Sequence, residues 1–246
     1  MRRAKPYNQK MKYLAVTIVW ASMLMPATAR QNDRDHASPE LNQILDRMRF
    51  HEEWQASHLV EYQMHRRFYA ENARFKQESV LEAKTLFRQP GTYETEVVRT
   101  EGSDLIREKV FDKILEAEKE ANSKKVKKEV TIAPENYKFT LINKQDCGGR
   151  PCYNLRISPR QKSKYSIEGQ IWVDAEDGAI IRMQGSPAKK PSFWTLSTQI
   201  ERRYKRIDGI WLCEAMESTS NIFIAGKSSL KVDYNYLSVQ TGGVTN

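Results

Sequence analysis

Residues 165 to 239 constrain this chain more than any other part, because they form a succession of short β-rich runs divided by turn residues. The runs are Tyr165–Val173, Ala179–Gln184, Leu196–Ile207, Ile210–Glu217, Ile222–Ala225 and Leu230–Val239. Connections this short leave no room for crossover helices, so the stretch predicts an antiparallel meander. None of the runs or turns carries a catalytic motif. The pattern points to a β protein that holds something.

Two turns fix which side chains share a face. Asp208-Gly209 between two β-runs is a type I′ hairpin dipeptide, so Ile207 is expected opposite Ile210. Leu196, Ile200 and Tyr204 then share a face with Trp211, Cys213 and Ala215. Gln199, Glu201, Arg203 and Lys205 lie on the other face, with Ile210, Leu212 and Glu214. The first face is the better candidate for a buried or ligand-bearing side. A three-residue loop at Glu176-Asp177-Gly178, with Gly178 left-handed, would pair Val173 with Ile181 and Ile171 with Met183. Those four residues then meet on one face, with Trp172, Ile180 and Arg182 on the other.

Upstream, Ser38 before Pro39 is a helix start, and Leu41, Ile44, Leu45 and Met48 follow as one apolar stripe that fades near Ser57. Charged β-like runs occupy His58–Tyr69 and Arg74–Phe87, with Ala70–Ala73 as the turn. A further strand, Tyr93–Arg99, follows Pro90-Gly91. Ser103 or Asp104 caps a second helix whose apolar face is Leu105, Ile106, Val110, Phe111, Ile114 and Leu115. Lys124-Lys125-Val126-Lys127-Lys128 reads as a solvated loop or strand end, with a headgroup or partner patch as the alternative. Tyr137–Ile142 and Tyr153–Ile157 form the next strand pair. Two helices inserted in an antiparallel series define an α+β fold, with the helices on one face of one sheet.

Ahead of all this lies an export signal. Arg2, Arg3, Lys5, Lys10 and Lys12 precede the apolar stretch Tyr13–Met25 and a small-x-small site at Pro26-Ala27-Thr28-Ala29. Residues 1–29 are therefore expected to be a cleaved signal peptide and 30–38 a polar, disordered leader. An uncleaved membrane anchor is the bland alternative. The formal charge of +9 then falls to +4, because the signal holds five of the 40 Lys and Arg and none of the 31 acids. Export with so mild an excess argues against nucleic acid as a partner. Peripheral contact with an anionic membrane surface remains open.

Residues with chemical potential are few. Cys147 and Cys152 flank a turn, and an exported protein can form that disulfide as a structural staple. Placing them directly opposite each other would set Tyr137, Phe139 and Leu141 against Asn154 and Arg156. A bulge at Gly148-Gly149 would repair this. Cys213 is left over as a buried free thiol. His51, His58 and His65 recur every seven residues, but a strand from Leu59 would scatter them, so no metal is expected. No nucleophile elbow, phosphate loop or dinucleotide fingerprint occurs, so neither a catalytic set nor a cofactor is expected. In Lys189-Lys190-Pro191-Ser192-Phe193-Trp194, a stiff polar loop delivers two adjacent aromatics, one able to face the sheet interior and one outward.

In this arrangement the chain resembles the LolA/LolB-like superfamily of bacterial envelope proteins, which includes the RseB-type regulators. The likeness is sharpest in Gly169-Gln170-Ile171-Trp172-Val173-Asp174, Gly178-Ala179-Ile180-Ile181-Arg182, and Tyr204-Lys205-Arg206-Ile207-Asp208-Gly209-Ile210-Trp211-Leu212, with Val232-Asp233-Tyr234-Asn235-Tyr236. It covers about residues 39–240 as a single domain. The resemblance implies a curved, unclosed antiparallel β-barrel, or half-barrel, with helices packed on the concave side around an apolar cavity. It further implies a periplasmic, non-catalytic binding protein or chaperone for lipoprotein or lipid ligands, engaged in lipoprotein sorting. Candidate contacts are Leu196, Ile200, Tyr204 and Trp211, with Phe193 and Trp194 at the rim; plain core packing suits the same six. An RseB-type envelope-stress sensor acting on an envelope protein partner is the second reading, and a secreted enzyme of unknown chemistry the third.

Overall fold

The computed structural model describes residues 38–121, 124–190 and 192–242. The expected signal peptide, and the leader as far as residue 37, lie outside these ranges. Ser38 Oγ accepts a hydrogen bond from the Leu41 N–H at 3.2 Å, and Pro39 opens helix α1 (Pro39–His58). This satisfies one of the orphan donors at a helix start. Three strands follow, β1 (Leu59–Asn72), β2 (Gln77–Arg88) and β3 (Thr92–Gly102). The chain then turns helical through α2 (Asp104–Ile106), a π turn at Arg107–Phe111, α3 (Asp112–Ala121) and α4 (Lys124–Val130). The remaining strands are β4 (Tyr137–Asp146), β5 (Pro151–Pro159), β6 (Ile167–Asp174), β7 (Ile180–Pro187), β8 (Thr195–Ile207), β9 (Ile210–Ile222) and β10 (Gly226–Thr241).

All ten strands form one antiparallel sheet in the order β3-β2-β1-β10-β9-β8-β7-β6-β5-β4. The two meanders are joined where β1 pairs with β10. The edges, β3 and β4, do not pair with each other, so the barrel stays open. The expected unclosed α+β half-barrel is the observed fold.

The pairing carries one row of neighbours across every strand on a single face. It runs Leu141–Leu155–Ile171–Met183–Arg202–Met216–Val232–Phe68–Leu81–Thr100. Residues directly opposite on one face of a sheet bring their side chains together, so this row is the spine of the core. Leu41, Ile44 and Met48 of α1 pack on its β5–β7 part. Ile106 and Phe111 pack on its β9, β10, β1 and β2 part with Phe68, Met216 and Val232. Both helical segments thus cover the same face and leave β8 between them.

Several expected boundaries and registers move. β1 runs on to Asn72, because Ala70 pairs with Ser79 and Asn72 with Gln77. The turn is therefore residues 73–76, where Asn72 Oδ1 accepts the Phe75 N–H at 2.9 Å. Ile222–Ala225 is not a separate strand. β9 continues to Ile222 and the chain reverses through Ile224, whose φ is 64°. The basic run at 124–128 belongs to a helix rather than a loop or strand end, and Val126 and Val130 stand one turn apart on it. Leu105, expected on the buried face of the second helix, is 52% exposed, while Ile106 and Phe111 are buried.

Two bulges alter the predicted faces. The β6–β7 connection is longer than three residues: Asp174 Oδ1 accepts the N–H groups of Glu176 and Asp177, and the Asp174 N–H reaches Ala179 O. Ile171 pairs with Met183 as expected, but Val173 pairs with Ile180, which joins the first core instead of the opposite face. In β9, Tyr204 pairs with Cys213 and Arg203 with Ala215, so Glu214 is extra. Ala215 therefore leaves the face of Ile200 and Tyr204, and Met216 takes its place. The cysteine hairpin resolves in the same way. Cys147 and Cys152 are bonded with Cα atoms 5.9 Å apart, yet Cys152 pairs with Gln145 rather than Cys147. The bulge falls at Ile142, not at Gly148-Gly149, and it sets Leu141 against Leu155 and Phe139 against Ile157.

Candidate functional site

The six residues singled out from the sequence go to three places. Tyr204 and Trp211 line a cavity of about 300 Å³ together with Leu45 and Met48 of α1, Phe139 of β4 and Ile180 of β7. Ile200 packs at the margin of the second core. Phe193, Trp194 and Leu196 do not reach the cavity: they are 89%, 53% and 52% exposed at the start of β8. Neither Phe193 nor Trp194 turns inward as expected. Leu196 sits at a bulge, since Thr195 pairs with Ile222 and Ser197 with Asn221.

The position of Trp211 follows from the strand termini. Ile207 and Ile210 close a two-residue hairpin, with Asp208 at φ 48° and Gly209 at φ 85°, as the I′ turn requires. The next residue, Trp211, therefore directs its backbone N–H and C=O away from β8. β10 does not meet them, because its pairing with β9 ends at Asp233–Ala215. Gln55 of α1 substitutes for the missing strand: its Oε1 accepts the Trp211 N–H at 2.9 Å and its Nε2 donates to Trp211 O at 3.2 Å. The indole Nε1–H donates to Asp177 Oδ2 at 2.9 Å. Leu59, Tyr62, Ile210, Leu212, Tyr236 and Val239 pack together where β9 and β10 have parted.

Helix α1 is seated against the β6–β7 turn at close range. Arg47 donates to Ala175 O at 2.7 Å, and a Cβ on Gly178, whose φ is +76°, would lie 2.6 Å from Arg47 O. Gly178→Ala is expected to destabilise the protein by about 1–3 kcal/mol, through left-handed strain plus displacement of the helix that forms one cavity wall. Urea denaturation of the two forms measures it; equal midpoints would remove this contact from the account.

The electrostatics of the covered face center on two arginines. Arg66 is fully buried and donates to both carboxylate oxygens of Glu118 on α3 at 2.8 Å. Among the described residues, Arg202 is in no such ion pair. The groups acting on it are the hydroxyls of Tyr204 and Tyr234 and the Cys213 thiol, none of them an acid, and its Nε is buried without a hydrogen bond. It retains some solvent contact yet lies deep in the fold, on the same face as Ile200 and Tyr204. Burial pushes the Cys213 thiol up, which leaves it a poor nucleophile. Burial also raises the neighbouring phenols, Tyr93 to about 12.

The histidines separate in the structure. His51 borders the cavity, where burial lowers its pKa despite the opposing pull of Asp177. His58 stacks on Trp54 at 4.5 Å, and His65 sits on β1, 3.7 Å from Glu82. Among the described residues no group of three or more His, Cys, Asp or Glu is placed to hold a metal ion. Arg202 was missed in the sequence although its position was legible there, because strand alternation puts it between Ile200 and Tyr204 on the inward face.

No protein-family model matches the chain, and no curated protein matches it. Solved structures do. An outer membrane lipoprotein-sorting protein domain from Vibrio parahaemolyticus is 13% identical, with 83% of this chain and 93% of that chain covered and a TM-score of 0.43. A LolA superfamily protein from Nitrosomonas europaea is 8% identical, with 82% and 94% covered and a TM-score of 0.36. A chain of the Pseudomonas aeruginosa MucA/MucB complex is 12% identical, with 82% and 100% covered and a TM-score of 0.25.

Proposed function

We propose that this chain is a periplasmic, non-catalytic binding protein or chaperone for a lipid-like or lipoprotein ligand, and that the ligand is an amphiphile carrying an anionic group. The observation that carries this reading is the single interruption of the apolar row. Between Met183 of one core and Met216 of the other stands a guanidinium that forms no ion pair among the described residues. A charge in such surroundings is costly unless an opposite charge meets it. A ligand anion at Arg202 supplies that charge. Its acyl portion enters the cavity beside Tyr204 and Trp211 and gains about 0.8 kcal/mol per methylene buried.

Native mass spectrometry of protein purified from the periplasm, with lipid extraction, tests the reading directly. A co-purifying acylated anion supports it. In titrations with a fluorescent fatty acid, Trp211→Ala is expected to abolish binding while leaving the melting temperature near that of the parent. Arg202→Gln is expected to weaken the fatty acid about tenfold or more, and to leave an uncharged fatty alcohol unaffected. Protein that is free of ligand and binds neither probe would overturn the proposal.

A further inference from the structure

One end of the sheet combines exposed apolar side chains with cations. The β1–β2 turn (73–76), the described parts of the β7–β8 loop (188–190 and 192–194) and the β9–β10 turn (223–225) lie together there, because neighbouring antiparallel strands reverse at the same end. They are tied to one another by hydrogen bonds. Asn72 Nδ2 donates to Ala225 O at 2.9 Å, Arg74 to Ile224 O at 2.6 Å, and the Phe223 N–H to Trp194 O at 2.8 Å. Phe75, Phe193, Trp194, Leu196, Phe223 and Ile224 are each between 50% and 89% exposed. Trp194 stacks on Phe223 with ring centroids 6.2 Å apart and meets Phe193 edge-on at 5.5 Å. Single exposed apolar residues are ordinary, whereas six gathered on three bonded loops make a surface.

The charges on the loops themselves have one sign, with exposed acids (Glu71, Glu78, Glu101 and Asp104) at the flanking strand ends. Arg74, Lys76, Lys189, Lys190 and Lys227 border it, and residues 73–76, 186–194 and 221–227 contain no Asp or Glu. The nearest acids in sequence, Glu71 and Glu78, accept hydrogen bonds from Ser229 and Tyr69. The turns at the other end of the same strands carry Glu176, Asp177 and Asp208. Projecting aromatics ringed by lysine and arginine match a bilayer interface, where rings sit at headgroup depth and cations meet anionic lipid.

We infer that this three-loop end docks on an anionic bilayer surface, with Phe193, Trp194 and Phe223 entering the headgroup layer. The inference rests on surface residues and stands apart from the cavity and its ligand. It predicts that the purified protein co-sediments with phosphatidylcholine vesicles containing phosphatidylglycerol, and much less with phosphatidylcholine alone. Replacing Phe193, Trp194 and Phe223 together by serine is expected to cut partitioning at least tenfold, with the far-UV circular dichroism spectrum and melting temperature retained as evidence of folding. Lys189→Ser and Lys190→Ser are each expected to cost about fivefold, on the anionic vesicles only. Tryptophan emission should shift to the blue on vesicle addition in the parent and not in Trp194→Phe. Partitioning that is absent, or that survives the triple substitution, would overturn the inference. So would a self-associated parent that the triple substitution renders monomeric without any vesicle binding, because a second copy would then cover the patch.

Discussion

Asp174→Ala is expected to destabilise the protein by about 2–4 kcal/mol, the cost of withdrawing a buried carboxylate from two backbone N–H groups and a partly exposed guanidinium. The Asp174 side chain is fully buried at the end of β6. It accepts hydrogen bonds from Arg150 Nε at 2.6 Å and Arg150 Nη2 at 3.1 Å, as well as from the N–H groups of Glu176 and Asp177 at 2.9 and 2.8 Å. Removing the carboxylate frees two turn N–H groups at once and leaves Arg150 with Glu176 and Asp177 alone. It also loosens the β4–β5 turn from the β6–β7 turn, on which α1 is seated through Arg47 and Gly178.

The same residue predicts a pH dependence. Burial alone would raise the Asp174 pKa, but Arg150 and the two backbone donors outweigh it and hold the carboxyl below its ordinary value. A carboxyl lowered in the folded state adds stability that is complete above its unfolded pKa of about 3.9 and is lost as pH falls through the folded value. The parent should therefore lose stability on acidification below about pH 4, and Asp174→Ala should lose correspondingly less over the same interval. Urea denaturation of both proteins at neutral pH and in acid measures the difference. Parallel acid losses would remove Asp174 as the group responsible.

Glu118→Ala is the second large effect, expected at about 3–5 kcal/mol, because Arg66 would remain fully buried with its carboxylate gone. Phe111 and Ile106 hold the helical segment to the sheet by apolar contact, while Glu118 supplies its polar tie. The double variant Arg66→Met with Glu118→Leu is expected to recover most of the loss, since apolar groups of similar volume replace a buried pair at little cost. Thermal melts of the parent, the single variant and the double variant form the test. A double variant as unstable as the single would show that packing around residue 118, rather than the orphaned guanidinium, sets the effect.

The two pairs differ in how they bear on the proposed ligand. Arg150–Asp174 secures the α1 side of the concavity and Arg66–Glu118 the α3 side, with Arg202 between them and, among the described residues, in no ion pair. Under the proposed function, that third guanidinium is the one the ligand anion meets.

By itself the sequence determined the elements and their topology class. Turn chemistry is local: Asp208-Gly209 demands its hairpin whatever surrounds it, Ser38-Pro39 starts a helix through its own backbone groups, and strand alternation marks an inward side. The Ile207–Ile210 and Ile171–Met183 pairs followed from such signals and occur as read. Tertiary structure alone decided the rest. Whether Glu214, Leu196 or Ile142 is the extra residue of its strand depends on how ten twisted strands match up, and each bulge exchanges the faces beyond it. Ala215 and Ile180 changed sides for that reason, and Leu196 came to the surface. The termination of β9–β10 pairing at Ala215–Asp233 is likewise invisible in one dimension, yet it is what sends Trp211 to Gln55 and to the cavity. Six candidate residues in one run of sequence thus became a cavity wall, a core margin and an exposed end, because register is a property of the whole sheet and not of any strand in it.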